Sequence, residues 1–342
     1  MSEFKPLILG IANGLKDSIL GMASLFRLDS TLEKIEEDKR KKMEDFQSQR
    51  QPYRGIRERP RKETTNPPSK QIVKSMIQCT LLNGGIFWMS IFLFENYIIP
   101  TLQFLTEAIF KLVSGDSTQH SSIWFWMGPA LSCVFGALWV LPLFWLSKPL
   151  NSLWFQEIAD TAYRKRRGRP LGFTNIARGE SVTSYISRSI ADFSFSILLQ
   201  AFFLMQGLLV SFLPIFGSVA SLVHMCLLYS LYVFEYKWIN MDWSAPKRLA
   251  YIESNWPYFI GFGLPLAVLT SLPSSFVVSG CVFAIFFPLF IISGNESNVV
   301  ETNQFPIRIF AVVVWLTNKI FHRSTARKQT GQRDPSATQP SS

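Results

Sequence analysis

Charge is missing from three long blocks of this chain and crowded between them, and that arrangement constrains the fold more than any motif does. Ser122 to Ser147, Phe193 to Phe234 and Trp256 to Asn295 hold no Asp, Glu, Lys or Arg over 26, 42 and 40 residues. A hydrocarbon core needs about 20 predominantly apolar residues per helix, whereas helices of soluble cores are shorter and keep a polar face. The two longer blocks each have room for two passes. Apolar content of 48% suits a globular or a membrane chain equally; its segregation decides for the membrane. Heavy use of Phe, 30 of 342 residues, suits lipid-facing helices. The reading is an all-α integral membrane protein with about six hydrophobic passes, near 81–103, 122–147, 193–213, 217–235, 256–272 and 275–293. The last two are short enough to be a re-entrant hairpin that enters without fully crossing.

The basic residues give an independent check. Residues 1–79 carry 16 Lys and Arg, 148–192 carry 8, 235–255 carry Lys237, Lys247 and Arg248, and 6 follow residue 293. The remaining one is Lys111, and the connectors 114–121, 214–218 and 271–275 have none. Cytosolic loops hold the Lys/Arg excess. Alternate connectors are therefore expected in the cytosol, with both termini there and an even number of passes. Trp124, Trp126, Trp145, Trp238 and Trp256 fall near span ends, where indole rings favour the headgroup region; Trp88 and Trp139 are expected between helices. The Asn295-Glu296-Ser297 sequon falls on the cytosolic side and is expected to be unmodified.

Outside the passes the chain divides by composition. Residues 1–46 hold an amphipathic helix and a charged helical run. In the helix Leu7, Ile8, Ile11, Leu15, Ile19, Met22, Leu25 and Phe26 share one face, which suits the membrane interface or docking on the protein's own surface. The run, Glu33 to Asp45, contains Lys39, Arg40, Lys41 and Lys42. Residues 47–75 read as a basic, disordered linker, and 76–322 as the multi-pass domain. After the second pass comes a cytosolic interfacial helix near 152–167, with Trp154, Phe155, Ile158, Ala159, Ala162 and Tyr163 on its apolar arc. It ends in Arg164, Lys165, Arg166 and Arg167. Both basic clusters are candidates for anionic headgroups or a protein partner, and the first also fits an import-type signal. Their plainest role is to fix orientation. Phe305 to Phe321 reads as a third interfacial segment, and 323–342 as a disordered cytosolic tail.

Motifs for catalysis are absent from the sequence: no GxSxG, HExxH, Walker or GxGxxG string occurs. Cys79, Cys133, Cys226 and Cys281 are far apart and form no metal-ligand spacing. No cofactor and no catalytic residue is expected, and a non-enzymatic role follows. Two ionisable residues fall inside passes, Glu95 and His224, and an intramembrane ionisable group is a functional candidate by default. A lone neutral His also serves simply to hydrogen-bond a neighbouring helix. Pro129, Pro142, Pro214, Pro265 and Pro288 interrupt or adjoin passes; broken helices bind ions in transporters, while kinks alone are common in membranes.

Several strings carry a family likeness. They include Asn83-Gly84-Gly85-Ile86-Phe87-Trp88, Ala137 to Lys148 followed by Trp154 to Asp160, and His224 to Tyr236. Asn255 to Tyr258 with Gly261 to Leu266, and Phe287 to Ser293, extend the likeness, as do Gly14 to Ile19 with Leu28-Asp29. Over about residues 7–322 the chain resembles the etoposide-induced membrane protein family. The resemblance implies a multi-pass protein of the endoplasmic reticulum membrane, associated with autophagy at the maturation of autophagosomes into degradative autolysosomes. It also implies links to apoptosis and growth suppression. The family is distantly similar to the bacterial sulfate permease CysZ, which raises an anion or small-solute transporter as the alternative. The expected partners are the lipid bilayer, anionic headgroups, and autophagy or import-machinery proteins, and no nucleic acid.

Overall fold

A computed structural model describes residues 5–23, 68–114, 118–168, 181–299 and 306–330, together with Lys41 and Leu171. Every regular element among them is helical, so the protein is an all-α membrane protein. Helix α1 covers 5–23. Helix α2 runs unbroken over 68–114: Pro68–Thr80, Met89–Leu93 and Ile99–Ser114 are α-helical, and Leu81–Trp88 and Phe94–Ile98 are wider π-helical turns. Helix α3 runs over 118–167, with one such wide stretch at Gly136–Val140. Then follow α4 (Val182–Ser211), α5 (Gly217–Asn240), α6 (Ala245–Ser254), α7 (Trp256–Ser271), α8 (Phe276–Glu296) and α9 (Ala311–Thr330).

Among the described residues five stretches are long and apolar enough to cross a bilayer: Ile72–Val113, Ser121–Arg167, Val182–Ser211, Gly217–Asn240 and Phe276–Glu296. At 1.5 Å per residue the first two extend about 63 and 70 Å, against a hydrocarbon core of about 30 Å. The first two passes are thus the middles of much longer helices. The expected fifth pass, α7, has 16 residues, or about 24 Å, which is too short to cross upright.

The chain forms two compact units. One comprises Asp17–Gly168 and Val268–Ser297. In it α2 and α3 lie antiparallel in continuous register. Ser75 meets Glu157, Asn83 meets Asn151, Trp139 donates from Nε1 to Ser90 Oγ at 3.1 Å, and Phe94 stacks on Phe135 with centroids 3.8 Å apart. Helix α8 packs along the pair: Phe287 lies edge-on to Phe155 at 4.9 Å, and the Cys79 thiol donates to the Ala284 carbonyl at 3.0 Å. The second half of α1 rests on α8, where Ser293 Oγ donates to the Ser18 carbonyl at 2.9 Å and a Cβ on Gly21 would strike the Ser293 backbone.

The other unit comprises Met1–Lys16, Arg169–Ala267 and Asn298–Ser342. Helices α4 and α5 make a hairpin, α6 closes its open end, and α9 lies along α4 with Phe310 against Phe203 at 4.6 Å. Helix α7 approaches α5 so closely that a Cβ on Gly263 would collide with the Cys226 carbonyl, and Ser230 Oγ donates to the Phe259 carbonyl at 2.6 Å. Phe234 sits buried among Trp238, Tyr258, Phe259 and Phe262. The tip of the α4–α5 hairpin, Phe212 to Phe216, is apolar, and Ile215 adopts φ 70°. A β-branched residue rarely takes that conformation.

Several expectations are corrected by packing. Helix α1 turns its small residues inward: Gly10, Gly14, Ser18 and Gly21 are buried, while Ile8, Leu9, Ile19 and Leu20 are exposed. Small side chains let two helix backbones approach; Gly14 meets the Tyr258 carbonyl and Gly261 the Ile11 carbonyl with no room for a Cβ. Leu25 and Phe26 lie outside the described residues. The segment 152–167 is no separate helix but continues α3, with Pro149 accommodated inside it. Its arc of Phe155, Ile158, Ala159, Ala162 and Tyr163 is buried within the protein. Trp88 is exposed, and Trp139, half-exposed, bridges from α3 to Ser90 of α2 at the surface of the pair. The linker yields to helix at Pro68, the residue type best suited to a first helical turn, and α9 continues past 323 to Thr330 on good helix formers such as Ala326, Arg327 and Lys328. The charged run 33–45, Lys41 apart, the linker 47–67 and the tail 331–342 lie outside the described residues.

Candidate functional site

Within the first unit the helices enclose a chain of amides. Asn83 and Asn151 face each other head to head: Asn83 Nδ2 donates to Asn151 Oδ1 at 2.8 Å, and Asn151 Nδ2 returns to Asn83 Oδ1 at 3.1 Å. Asn83 Nδ2 also donates to the Cys79 carbonyl at 2.8 Å. An α-helical turn would engage that carbonyl with the Asn83 backbone N–H, so the side chain competes for it where the wide turn of α2 begins. Two turns nearer the N-terminus of α2, Ser75 Oγ donates to Glu157 at 2.6 Å. In a bilayer or a dry core, unsatisfied amides are costly, so these partners hold the register of α2 against α3. Sequence reasoning noticed Asn83 only within a family string and missed Asn151. The available signal was one Asn on each of two helices destined to pair.

The second unit holds a buried ion pair. Arg248 on α6 reaches Glu235 on α5, Nη1 to Oε1, at 3.1 Å, and both side chains are nearly buried. Its Nε donates to the Trp243 carbonyl at 2.8 Å, and Nη1 also approaches Ser196 Oγ at 3.4 Å. Gln200 on α4 donates to the other oxygen of Glu235. Burial pulls the Arg248 guanidinium below its usual range, and the charges of Glu235, Asp192 and Asp242 oppose that pull. A small cavity opens beside the pair, lined by Phe195, Ser196, Leu199, Gln200, Leu231 and Leu249 among others. Its polar groups, Ser196, Gln200, Glu235 and Arg248, bond to one another at the cavity wall.

Both ionisable candidates read from the sequence are located. His224 on α5 bonds the Ala220 carbonyl through Nδ1 at 2.8 Å and Gln206 on α4 through Nε2 at 3.1 Å. The neutral tautomer consistent with this carries its proton on Nδ1 and accepts from the Gln206 amide. Phe203 lies beside the ring at 5.2 Å, and Gly207 leaves space for the His224 Cβ. The Gln206 bond ties α4 to α5. Glu95, by contrast, is exposed on α2, in the wide turn Phe94–Ile98. The two residues belong to different units.

The second basic cluster caps α3. Arg166 pairs with Glu296 at the end of α8 and also donates to its carbonyl oxygen. Arg164 and Arg167 are exposed and Lys165 is half-buried. Of the first cluster, Lys41 is exposed, and Lys39, Arg40 and Lys42 lie outside the described residues. The sequon residue Asn295 is buried and donates to the Ile291 carbonyl at 3.0 Å, so its amide is occupied. Among the described residues no three His, Cys, Asp or Glu side chains gather as metal ligands.

Comparison with known proteins gives one consistent answer. The sequence pattern of the family described as sulfate transporter CysZ/etoposide-induced protein 2.4 matches residues 68–279. The chain is 32% identical over 244 residues to the protein EI24 homolog of Arabidopsis thaliana, covering 67% of this chain and 76% of that one. It is 34% identical over 168 residues to Ectopic P granules protein 4 of Caenorhabditis elegans, covering 48% and 49%. It is 29% identical over 225 residues to the protein EI24 homolog of Dictyostelium discoideum, covering 66% and 65%. No solved structure matches the chain.

Proposed function

The chain belongs to the sulfate transporter CysZ/etoposide-induced protein 2.4 family, and from that premise we propose that it is a non-enzymatic factor of the endoplasmic reticulum membrane acting in autophagy. The step it serves on this reading is the maturation of autophagosomes into degradative autolysosomes, with links to apoptosis and growth suppression. The observation that carries the reading is the relative named for ectopic P granules: granules in the wrong place are what failed clearance leaves behind. The Arg164 to Arg167 cluster supports a role at a membrane surface, because exposed guanidinium groups at a helix end suit anionic headgroups. On this reading both termini face the cytosol, where the Lys/Arg excess lies. The test removes the protein from cells and follows lysosomal turnover of a long-lived cytosolic cargo, with the full chain and a chain lacking 1–75 reintroduced. The full chain is expected at the endoplasmic reticulum and to restore turnover. Normal turnover in cells without the protein would end the proposal.

One observation favours a second reading, transport of an anion or small solute. Arg248 is buried beside a cavity between α4, α5 and α6, in a family whose description includes a sulfate transporter. Saturable sulfate or chloride flux into proteoliposomes, lost in Arg248→Met, is the expected result of that reading. Flux equal to empty liposomes from correctly inserted protein would count against transport of these anions.

A further inference from the structure

We infer that Glu95 is a docking point inside the membrane for a partner protein's transmembrane helix that carries a Lys or Arg side chain. The register of α2 on α3 sets its depth. Phe94 stacks on Phe135, so Glu95 lies level with the middle of the charge-free block Ser122 to Ser147. That block spans about 39 Å along α3 at 1.5 Å per residue, and Phe135 stands about 18 to 20 Å from either end. Wherever a core of about 30 Å is placed within it, the level of Glu95 stays roughly 10 Å or more below the nearer surface. Two exposed indoles, Trp126 and Trp145, stand 19 residues apart on α3, about 28 Å, as aromatic belts at the two interfaces require.

At that level the hairpin is built differently from the rest. The wide turns Phe94–Ile98 of α2 and Gly136–Val140 of α3 both begin next to the Phe94–Phe135 stack, and such turns recur at functional sites. Gly136 faces open space, and Asn96 is exposed beside Glu95. Among the described residues nothing pairs with the Glu95 carboxyl, whereas Glu107, a few turns on, is paired with Lys111 at 2.7 Å. An ionisable side chain at such depth is expensive to keep unless something engages it. Charge complementarity calls for a cation. A second copy of this chain does not supply one: its three charge-free blocks hold no Lys or Arg, nor does the first pass over 81–103. The occupant is therefore a different protein's helix.

The test uses the full chain in liposomes and two synthetic apolar helices of about 20 residues, one with a single central Lys and one without. Association is read by energy transfer. The Lys helix is expected to bind about tenfold more tightly than the plain one, within the range of interhelical polar contacts in membranes. Glu95→Gln, nearly isosteric at an exposed position, is expected to erase that difference, and Glu107→Gln to preserve it. A lipid-soluble carbodiimide is expected to label Glu95 where a water-soluble one does not. Equal binding of the two helices, a difference that survives Glu95→Gln, or labelling by the water-soluble reagent alone would overturn the inference. Glu95-dependent self-association without added helix would overturn it in favour of a second copy.

Discussion

The amide pair Asn83–Asn151 makes a sharp prediction about what holds α2 to α3. Asn151→Ala removes its two hydrogen bonds to Asn83, of 2.8 and 3.1 Å, and the longer contact from the Cys79 thiol at 3.4 Å, and leaves Asn83 Oδ1 without its donor, while Asn83 Nδ2 keeps the Cys79 carbonyl. Side-chain hydrogen bonds between membrane helices average about 0.6 kcal/mol and reach about 1.7, and a stranded buried polar group adds about 1 to 3 kcal/mol. Each single alanine variant is therefore expected to cost about 2 to 4 kcal/mol. The double variant strands neither amide, and should cost less than the sum of the singles by about 1 to 2 kcal/mol. Reversible unfolding of the purified protein in mixed micelles, titrated with a denaturing detergent and followed by circular dichroism, measures all four corners of the cycle. If the two single costs simply add to within about 0.5 kcal/mol, the amides do not act as a pair and the register argument fails.

Three other perturbations follow from the same packing. Glu235→Ala strands the buried Arg248 guanidinium and is expected to destabilise by about 3 to 5 kcal/mol, while Glu235→Leu with Arg248→Met recovers most of that loss; thermal unfolding in detergent distinguishes the two. Gly263→Val drives a side chain into the Cys226 carbonyl and should cost at least about 2 kcal/mol. Gly136→Ala, where a Cβ meets open space, is expected to stabilise the helix by about 0.5 to 1 kcal/mol. The opposite signs of these two glycine substitutions, read from melting midpoints of the purified variants, check the helix placements independently of any functional assay.

Charge patterning alone settles the solvent each segment demands. Blocks of 26, 42 and 40 residues without charge leave no alternative to apolar surroundings, and backbone groups in such surroundings must pair within the segment, so the helices follow from local chemistry alone. Two turns were legible from Pro and Gly: Pro214 and Gly217 mark one, and Pro273 with its flanking serines another. Glu95 and His224 stood out because a lone ionisable residue in an apolar run is visible without knowing its neighbours. The tertiary structure decided everything that depends on which face meets which. In α1 the large apolar residues looked like the buried face, yet the glycines are buried, because closeness of two backbones, not side-chain size, governs packing between helices. The arc at 155–163 looked like a membrane-surface helix, yet it packs inside the protein, since an apolar arc does not name its partner. The pairings Asn83 with Asn151 and Glu235 with Arg248 join residues 68 and 13 positions apart. Only the antiparallel register of α2 and α3, and the fold of α6 back onto α5, bring those partners within hydrogen-bonding distance.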